Sequence, residues 1–383
     1  DAQRLHQPLD HAVLAAATLA LVAGPGAAAS ADPVPTVPDL GPTSFTGAGP
    51  YGVGERTLTL PSGSKLEVWY PARKADVRGK PMGTYDVVDW LPDFLQAGLP
   101  PGTSVAYPSG GVRGVPAAAK RFPLVVFSHG YAGFRTQSSF LTAALASWGF
   151  VVAAPDHNSR SLTQVLLGPV GSTTDVQDLR QTITVMGKRS RAKGGWLSGR
   201  VDMAHVGAVG HSAGGRAVEN LALVDPRVDT FIGLAGASTG ALDSEAPEVP
   251  HKPGLLMAAT DDGIVGLDKM QSAYDAMASP KRLVLVGGAG HLVFSDLCEI
   301  GAGDGGLLAV AAAVGITVPP ALVPLATDGC LPPALSPPDA WPAIDQVVIA
   351  QLRHVLGYDR SAAGLTGLTD AFPGIITGSE SVP

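Results

Sequence analysis

Two pentapeptides in this 383-residue chain carry the spacing G-x-S-x-G: Gly210-His211-Ser212-Ala213-Gly214 and Gly236-Ala237-Ser238-Thr239-Gly240. A serine on a sharp strand-to-helix turn presents its hydroxyl for attack, and only small residues fit around such a turn. Context separates the two. Ser212 follows the apolar run His205–Val209 and precedes Gly215 and a helical pattern from Ser212 to about Leu223. Ser238 also follows an apolar run, but Asp243, Ser244 and Pro247 leave little room for a helix. Ser212 is the candidate nucleophile, and Ser238 reads as loop.

A serine hydroxyl needs a base to take its proton and a third group to orient that base. On a parallel sheet with this turn, the partners follow in the order Ser, acid, His. Three histidines lie downstream. His354 falls inside an amphipathic helical pattern, and His251 precedes a strand between two prolines. His291 follows the strand Leu283–Val286 through Gly287-Gly288-Ala289-Gly290, at the strand end where catalytic loops gather. His291 is the candidate base. The acid should also follow a strand, and both Asp261 and Asp262 follow Leu255–Thr260. Asp262 is preferred because it opens an Asp-x-x-Val stretch, leaving Asp261 as a solvated or capping residue. Asp296, five residues past His291, is a further candidate.

Acyl transfer also needs N–H groups aimed where negative charge develops on the carbonyl oxygen. One is expected from Ala213, directly after the nucleophile. The other is expected from Tyr131, in the loop Ser128-His129-Gly130-Tyr131 that follows the apolar run Leu124–Phe127. His129 reads as a structural residue of that turn.

These groups are placed by alternating strands and helices. Arg56–Leu60 and Lys65–Tyr70 read as a β-hairpin, whereas Leu124–Phe127 and Val151–Ala154 are continuous apolar runs suited to strands buried on both faces. Strands are expected also at Thr230–Leu234, Leu255–Ala259 and Leu283–Val286. Helical spacing marks Gln137–Trp148, Asp175–Met186 (capped by Thr173 or Thr174), Gly266–Met277 and Ala343–Leu356. The expected fold class is α/β, with a mostly parallel sheet covered by helices. Two segments interrupt the alternation: about 77–116, rich in aromatic and aliphatic residues, and about 299–329, rich in Gly, Ala, Leu and Pro. Either would suit a lid, the bland alternative being packing on the sheet edge.

Composition narrows the class. With 26 Lys and Arg against 33 Asp and Glu, the net charge is −7 and there is no basic block, which disfavours a nucleic-acid partner. Two cysteines are too few for Cys-rich zinc modules or iron–sulfur clusters. The run Ala12–Val22 is too short to span a bilayer but suits a signal peptide, with Ala29-Ser30-Ala31 as the cleavage site. The expected layout is a signal peptide over 1–31, a Pro/Gly-rich leader over 32–50, a catalytic domain over 51–358 and a tail over 359–383. Export to an oxidising compartment would let Cys298 and Cys330 pair.

Several stretches together make the chain recognisable: Val68-Trp69-Tyr70-Pro71, Pro123-Leu124-Val125-Val126-Phe127-Ser128-His129-Gly130, Phe134-Arg135-Thr136, Ala146-Ser147-Trp148-Gly149-Phe150-Val151-Val152-Ala153 and Gly210-His211-Ser212-Ala213-Gly214-Gly215. From about Gly49 to His291 the chain resembles the α/β-hydrolase superfamily. The nearest branch is that of the type II and plasma platelet-activating-factor acetylhydrolases together with the bacterial cutinase-like polyester hydrolases. The resemblance implies a secreted or periplasmic ester hydrolase with no metal and no organic cofactor, and oxyanion donors at Tyr131 and Ala213. Departures bear on the substrate. The acetylhydrolase branch takes its acid from the strand after the nucleophile helix, but Gly233-Leu234-Ala235-Gly236-Ala237 has no carboxylate, so Asp262 must serve. Ala213 and Ala237 stand where polyester hydrolases usually carry Met and Trp.

The function expected is that of a secreted serine esterase or lipase acting on short- to medium-chain esters, the partner being a small-molecule, lipid or polymer ester. Two readings stand beside it: an acyltransferase using the same acyl-enzyme, and a non-catalytic α/β-hydrolase-like binding protein.

Overall fold

The computed structural model describes residues 37–168, 173–238 and 248–383. The expected signal peptide lies outside the described residues. Among the described residues, no helix is long and apolar enough to cross a membrane.

A ten-stranded sheet organises the chain. Strands β1 (Gly52–Thr59) and β2 (Lys65–Ala72) form the expected hairpin, in register from Thr59 opposite Lys65 to Gly52 opposite Ala72. The insertion that follows makes a small separate pair, β3 (Thr84–Asp86) with β4 (Ala106–Pro108), and then β5 (Val112–Arg113) on the sheet's edge. Next come β6 (Phe122–Ser128), β7 (Val151–Pro155), β8 (Val201–His211), β9 (Thr230–Leu234), β10 (Gly254–Ala259), β11 (Lys281–Val286) and β12 (Ile376–Val382). The order is β12-β11-β10-β9-β8-β6-β7-β2-β1-β5, and the six strands from β11 to β7 run parallel.

Each central strand feeds both faces, because alternate side chains point to opposite sides. In β6, Val125 and Phe127 enter one core with the helices Ser139–Ser147 and Pro337–Val355. Leu124 and Val126 enter the other with Asp175–Arg191, Ala213–Val224 and Leu267–Ala276. Burial on both faces is why these strands read as unbroken apolar runs. The helix Asp175–Arg191 begins with a capping box: Thr174 accepts the Gln177 N–H, and Gln177 reaches back to the Thr174 N–H.

The connections out of β6 and β8 set the location of any site. β7 lies on one side of β6 and β8 on the other, so strand order reverses there. Such a switch point leaves a crevice beyond the carboxyl ends of the strands. The Ser128-His129-Gly130 loop and the Gly210-His211-Ser212 turn both open into it, with Ser128 opposite Gly210 in register.

The C-terminal stretch goes beyond the expected tail. Ile376–Val382 pairs antiparallel with β11, from Lys281 opposite Val382 to Val286 opposite Ile376, and closes that edge of the sheet.

Candidate active site

Ser212 sits between β8 and the helix Ala213–Val224 with φ 57° and ψ −123°, a conformation that L-residues rarely adopt. Its own N–H donates to the Leu234 carbonyl at 2.8 Å, which ties the turn to β9. Glycines make this turn possible. A Cβ on Gly210 would overlap the Gly214 carbonyl, one on Gly214 would overlap the Ser128 carbonyl, and one on Gly215 would overlap Gly236. Ala213 is the first residue of its helix, so its N–H has no intrahelical acceptor and lies at the positive end of the helix dipole.

His291 follows β11 through the expected glycine-rich loop. Its Nδ1–H donates to Asp262 Oδ2 at 2.8 Å, and both side chains are buried. The other Asp262 oxygen, Oδ1, accepts the N–H groups of Ile264 at 2.8 Å and Val265 at 2.7 Å, which fixes the carboxylate's rotamer. Asp261 is exposed: its backbone N–H donates to the Ala289 carbonyl, and its side chain accepts from the neighbouring Thr260 hydroxyl. His251 is exposed, and His354 lies on the helix Pro337–Val355 against the Asp359 carbonyl.

His211 ties the Ser212 turn to the His291 loop. Its Nδ1 accepts from Gln137 Nε2 at 2.9 Å, so its proton is on Nε2, which donates to the His291 carbonyl at 3.1 Å. The two imidazoles stand 4.8 Å apart between ring centres. Burial, then the neighbouring His291, pushes His211 well below the usual histidine range and keeps it neutral. Sequence reasoning passed over His211 and Gln137, because each acts on backbone groups and polar atoms of distant loops.

The loop after β6 is held as tightly. Gln137 Oε1 accepts the Gly130 N–H at 3.2 Å, and buried Arg160 donates to the carbonyls of His129 and of Gly130, the latter at 2.9 Å. A Cβ on Gly130 would stand 3.4 Å from the Ser212 Cβ, so the loop leading to Tyr131 passes beside the Ser212 turn. His129 is fully buried, and its Nε2 accepts the His157 N–H at 3.0 Å.

Asp296 lies apart from His291 and Asp262. Fully buried, it accepts from the Tyr85 hydroxyl at 3.1 Å, from the Ser139 backbone N–H and hydroxyl, and from the Phe140 N–H. It pins the first insertion to the start of the helix Ser139–Ser147. Ser238 gives its N–H to Glu219 and its hydroxyl to Asn220, both on the nucleophile helix. A second Ser-His-Asp row also exists: Ser128 Oγ stands 2.9 Å from His157 Nε2, and His157 Nδ1 stands 3.3 Å from Asp178 Oδ2. All three side chains are sealed from solvent.

Residues 44–185 match the family model described as platelet-activating factor acetylhydrolase, isoform II. Over that segment the chain is similar to the acetylhydrolase family, and its mostly parallel sheet flanked by helices fits the α/β-hydrolase fold. That family acts on carboxylic esters, and the match supports a hydrolase of lipase or esterase type. The matched segment contains the loop from Ser128 to Tyr131 after β6 and ends before Ser212.

Beside that loop lies an apolar pocket of about 420 Å³. The first insertion contributes Val88, Phe94 and Leu95, and the second contributes Leu308, Ala311 and Leu325. Tyr131 and Ala132, from the loop after β6, line it as well, and Tyr131 is 49% exposed. The lining lacks charged side chains. Cys298 and Cys330 are disulfide-bonded, closing the second insertion at its base.

Proposed function

We propose that this hydrolase cleaves short- to medium-chain, uncharged carboxylic esters through a Ser212–His291–Asp262 triad. The observation that carries the reading is the 2.8 Å bond between His291 and Asp262 beside the strained Ser212 turn. Asp262 holds the imidazole with Nε2 as the proton-accepting nitrogen. His291 takes the Ser212 proton as Oγ attacks the ester carbonyl, and the N–H groups of Ala213 and Tyr131 receive the oxyanion. Proton return from His291 releases the alcohol. Water, activated by the same imidazole, then frees the acid from Ser212.

The apolar pocket beside Tyr131 takes the acyl chain, and its lack of charged groups favours a lipid-like ester over a charged one. Aliphatic lining from two insertions, with Ala213 and Ala237 near the nucleophile, favours a flexible chain over an aromatic polymer. The disulfide supports a secreted enzyme, since such bonds persist in oxidising compartments.

Hydrolysis of p-nitrophenyl esters from acetate to palmitate, with wild type beside Ser212→Ala, tests the reading. Turnover should peak at short to medium chains and fall by orders of magnitude in the variant. Near-wild-type turnover by Ser212→Ala would end the assignment. Acyl transfer to an added alcohol in preference to water would make the enzyme a transferase.

A further inference from the structure

The second insertion does more than roof the pocket. Its helix Val323–Thr327 places Leu325 and Ala326 on the pocket wall, and the next residue, Asp328, turns back to the catalytic edge of the sheet. There the Asp328 carboxylate accepts the His291 N–H at 2.5 Å through Oδ1 and the Gly263 N–H at 3.2 Å through Oδ2. Gly263 directly follows Asp262, so one carboxylate spans the backbones of the acid loop and the histidine loop. The Asp328 carbonyl also accepts the Leu292 N–H at 3.1 Å.

The chain is built to bring Asp328 this close. Gly329 has φ +83°, and a Cβ on it would stand 2.7 Å from the Gly290 Cα. Gly290 in turn has no room for a side chain against Gly329. Cys330 then bonds to Cys298, seven residues past His291, so the segment is anchored on both sides of its contact.

We propose that Asp328 is a positioning residue for ester hydrolysis, clamping the backbone of His291 to that of Gly263 so that imidazole and carboxylate keep their alignment with Ser212. This rests on the triad reading above. Asp328 bonds to N–H groups of the two loops, and its work is to set where the reacting side chains stand. Misplacement by about 1 Å is enough to cost on the order of a hundredfold in rate. Ala326 on the wall of the acyl pocket and Asp328 on the base stand two residues apart in the chain, so the pocket roof and the catalytic histidine are held as one piece.

The test uses Asp328→Ala and Asp328→Asn in the full chain, assayed well below their unfolding temperatures with p-nitrophenyl acetate, whose acyl group is too short to fill the pocket. Asp328→Ala should lower kcat by about 10–100-fold with KM within about twofold, in keeping with the cost of misplacing a reacting group by up to about 1 Å. Asp328→Asn keeps the volume and one carbonyl acceptor and should recover part of that loss. A purely structural role would lower the melting temperature and leave kcat of the folded protein alone. A folded Asp328→Ala with kcat within twofold of wild type overturns the proposal. Should Asp328→Ala not fold, Asp328→Asn is judged by the same kcat criterion. Ser212→Ala, run alongside, separates the failures: activity there defeats the triad itself, whereas an inactive Ser212→Ala with an unimpaired Asp328→Ala defeats only the clamp.

Discussion

Gly236 lies flat against the nucleophile turn, so close that a Cβ on it would overlap the backbone carbonyl of Ser212. The contact is reciprocal, since a Cβ on Gly215 would overlap the Gly236 carbonyl. The first glycine of the second G-x-S-x-G match is therefore packing for the first match. Gly236→Ala should destabilise the fold by about 1–3 kcal/mol, the usual cost of overpacking. It should also cut kcat at least tenfold, because the atom displaced belongs to Ser212. Urea unfolding and turnover, measured together, check this; wild-type values for both would show that the turn yields freely.

The acyl pocket predicts a change of specificity without a change of chemistry. Ala311→Trp fills space between the two insertions, away from Ser212 and His291. Decanoate turnover, as kcat/KM, should drop about tenfold, while acetate turnover stays within about twofold. An equal loss on both esters would mean that the chain lies elsewhere.

The disulfide closes the second insertion across a sequence separation of 32 residues. In the chain-entropy model such a loop contributes about 3–4 kcal/mol. The double variant Cys298→Ser/Cys330→Ser should melt correspondingly lower. Added reductant should lower the melting temperature of wild type and leave the double variant's unmoved. Identical melts with and without reductant in wild type would contradict a stabilising bond.

Glu219, buried on the nucleophile helix beneath Ser238, is pushed up to about 7 by burial, against the pull of the Ser238 N–H. Its folded value lies above the unfolded one, so the native state holds a proton that the unfolded chain gives up from about pH 4.5 upward. Stability from this group is full below that pH and falls as pH rises through 7. Glu219→Gln has no proton to lose. Its stability relative to wild type should increase from pH 5 to pH 8, by up to roughly 3 kcal/mol. A stability difference that does not vary across that range would show Glu219 ionised in the fold at all these pH values.

The parallel strands were legible because burial on both faces leaves an unbroken apolar run, as in Leu124–Phe127 and Leu255–Ala259. The strand Ile376–Val382 was not: it lies on an edge, carries Gly378, Ser379 and Glu380, and is mostly exposed. Around the site, the G-x-S-x-G spacing between a strand and a helix pointed to Ser212, and a strand end pointed to His291. Between Asp261 and Asp262 the sequence offered only the residues that follow, whereas in the fold one is exposed and the other meets the imidazole. Asp328, His211 and Gln137 left no signature, since each engages backbone groups or polar atoms far away in the chain. Sequence spacing carries local geometry, and those contacts are made only after the sheet has assembled.

Ser128, His157 and Asp178 repeat in miniature the residue types of Ser212, His291 and Asp262, yet they serve as mortar between β6, the loop after β7 and the helix Asp175–Arg191. The residue types are the same in both rows, but Ser212 is 8% exposed whereas Ser128 is wholly covered. A fluorophosphonate reagent should therefore label one serine per chain, Ser212, and leave Ser128 intact until the protein unfolds. On the proposed reading, reactivity follows the one serine of the two that the fold leaves partly open.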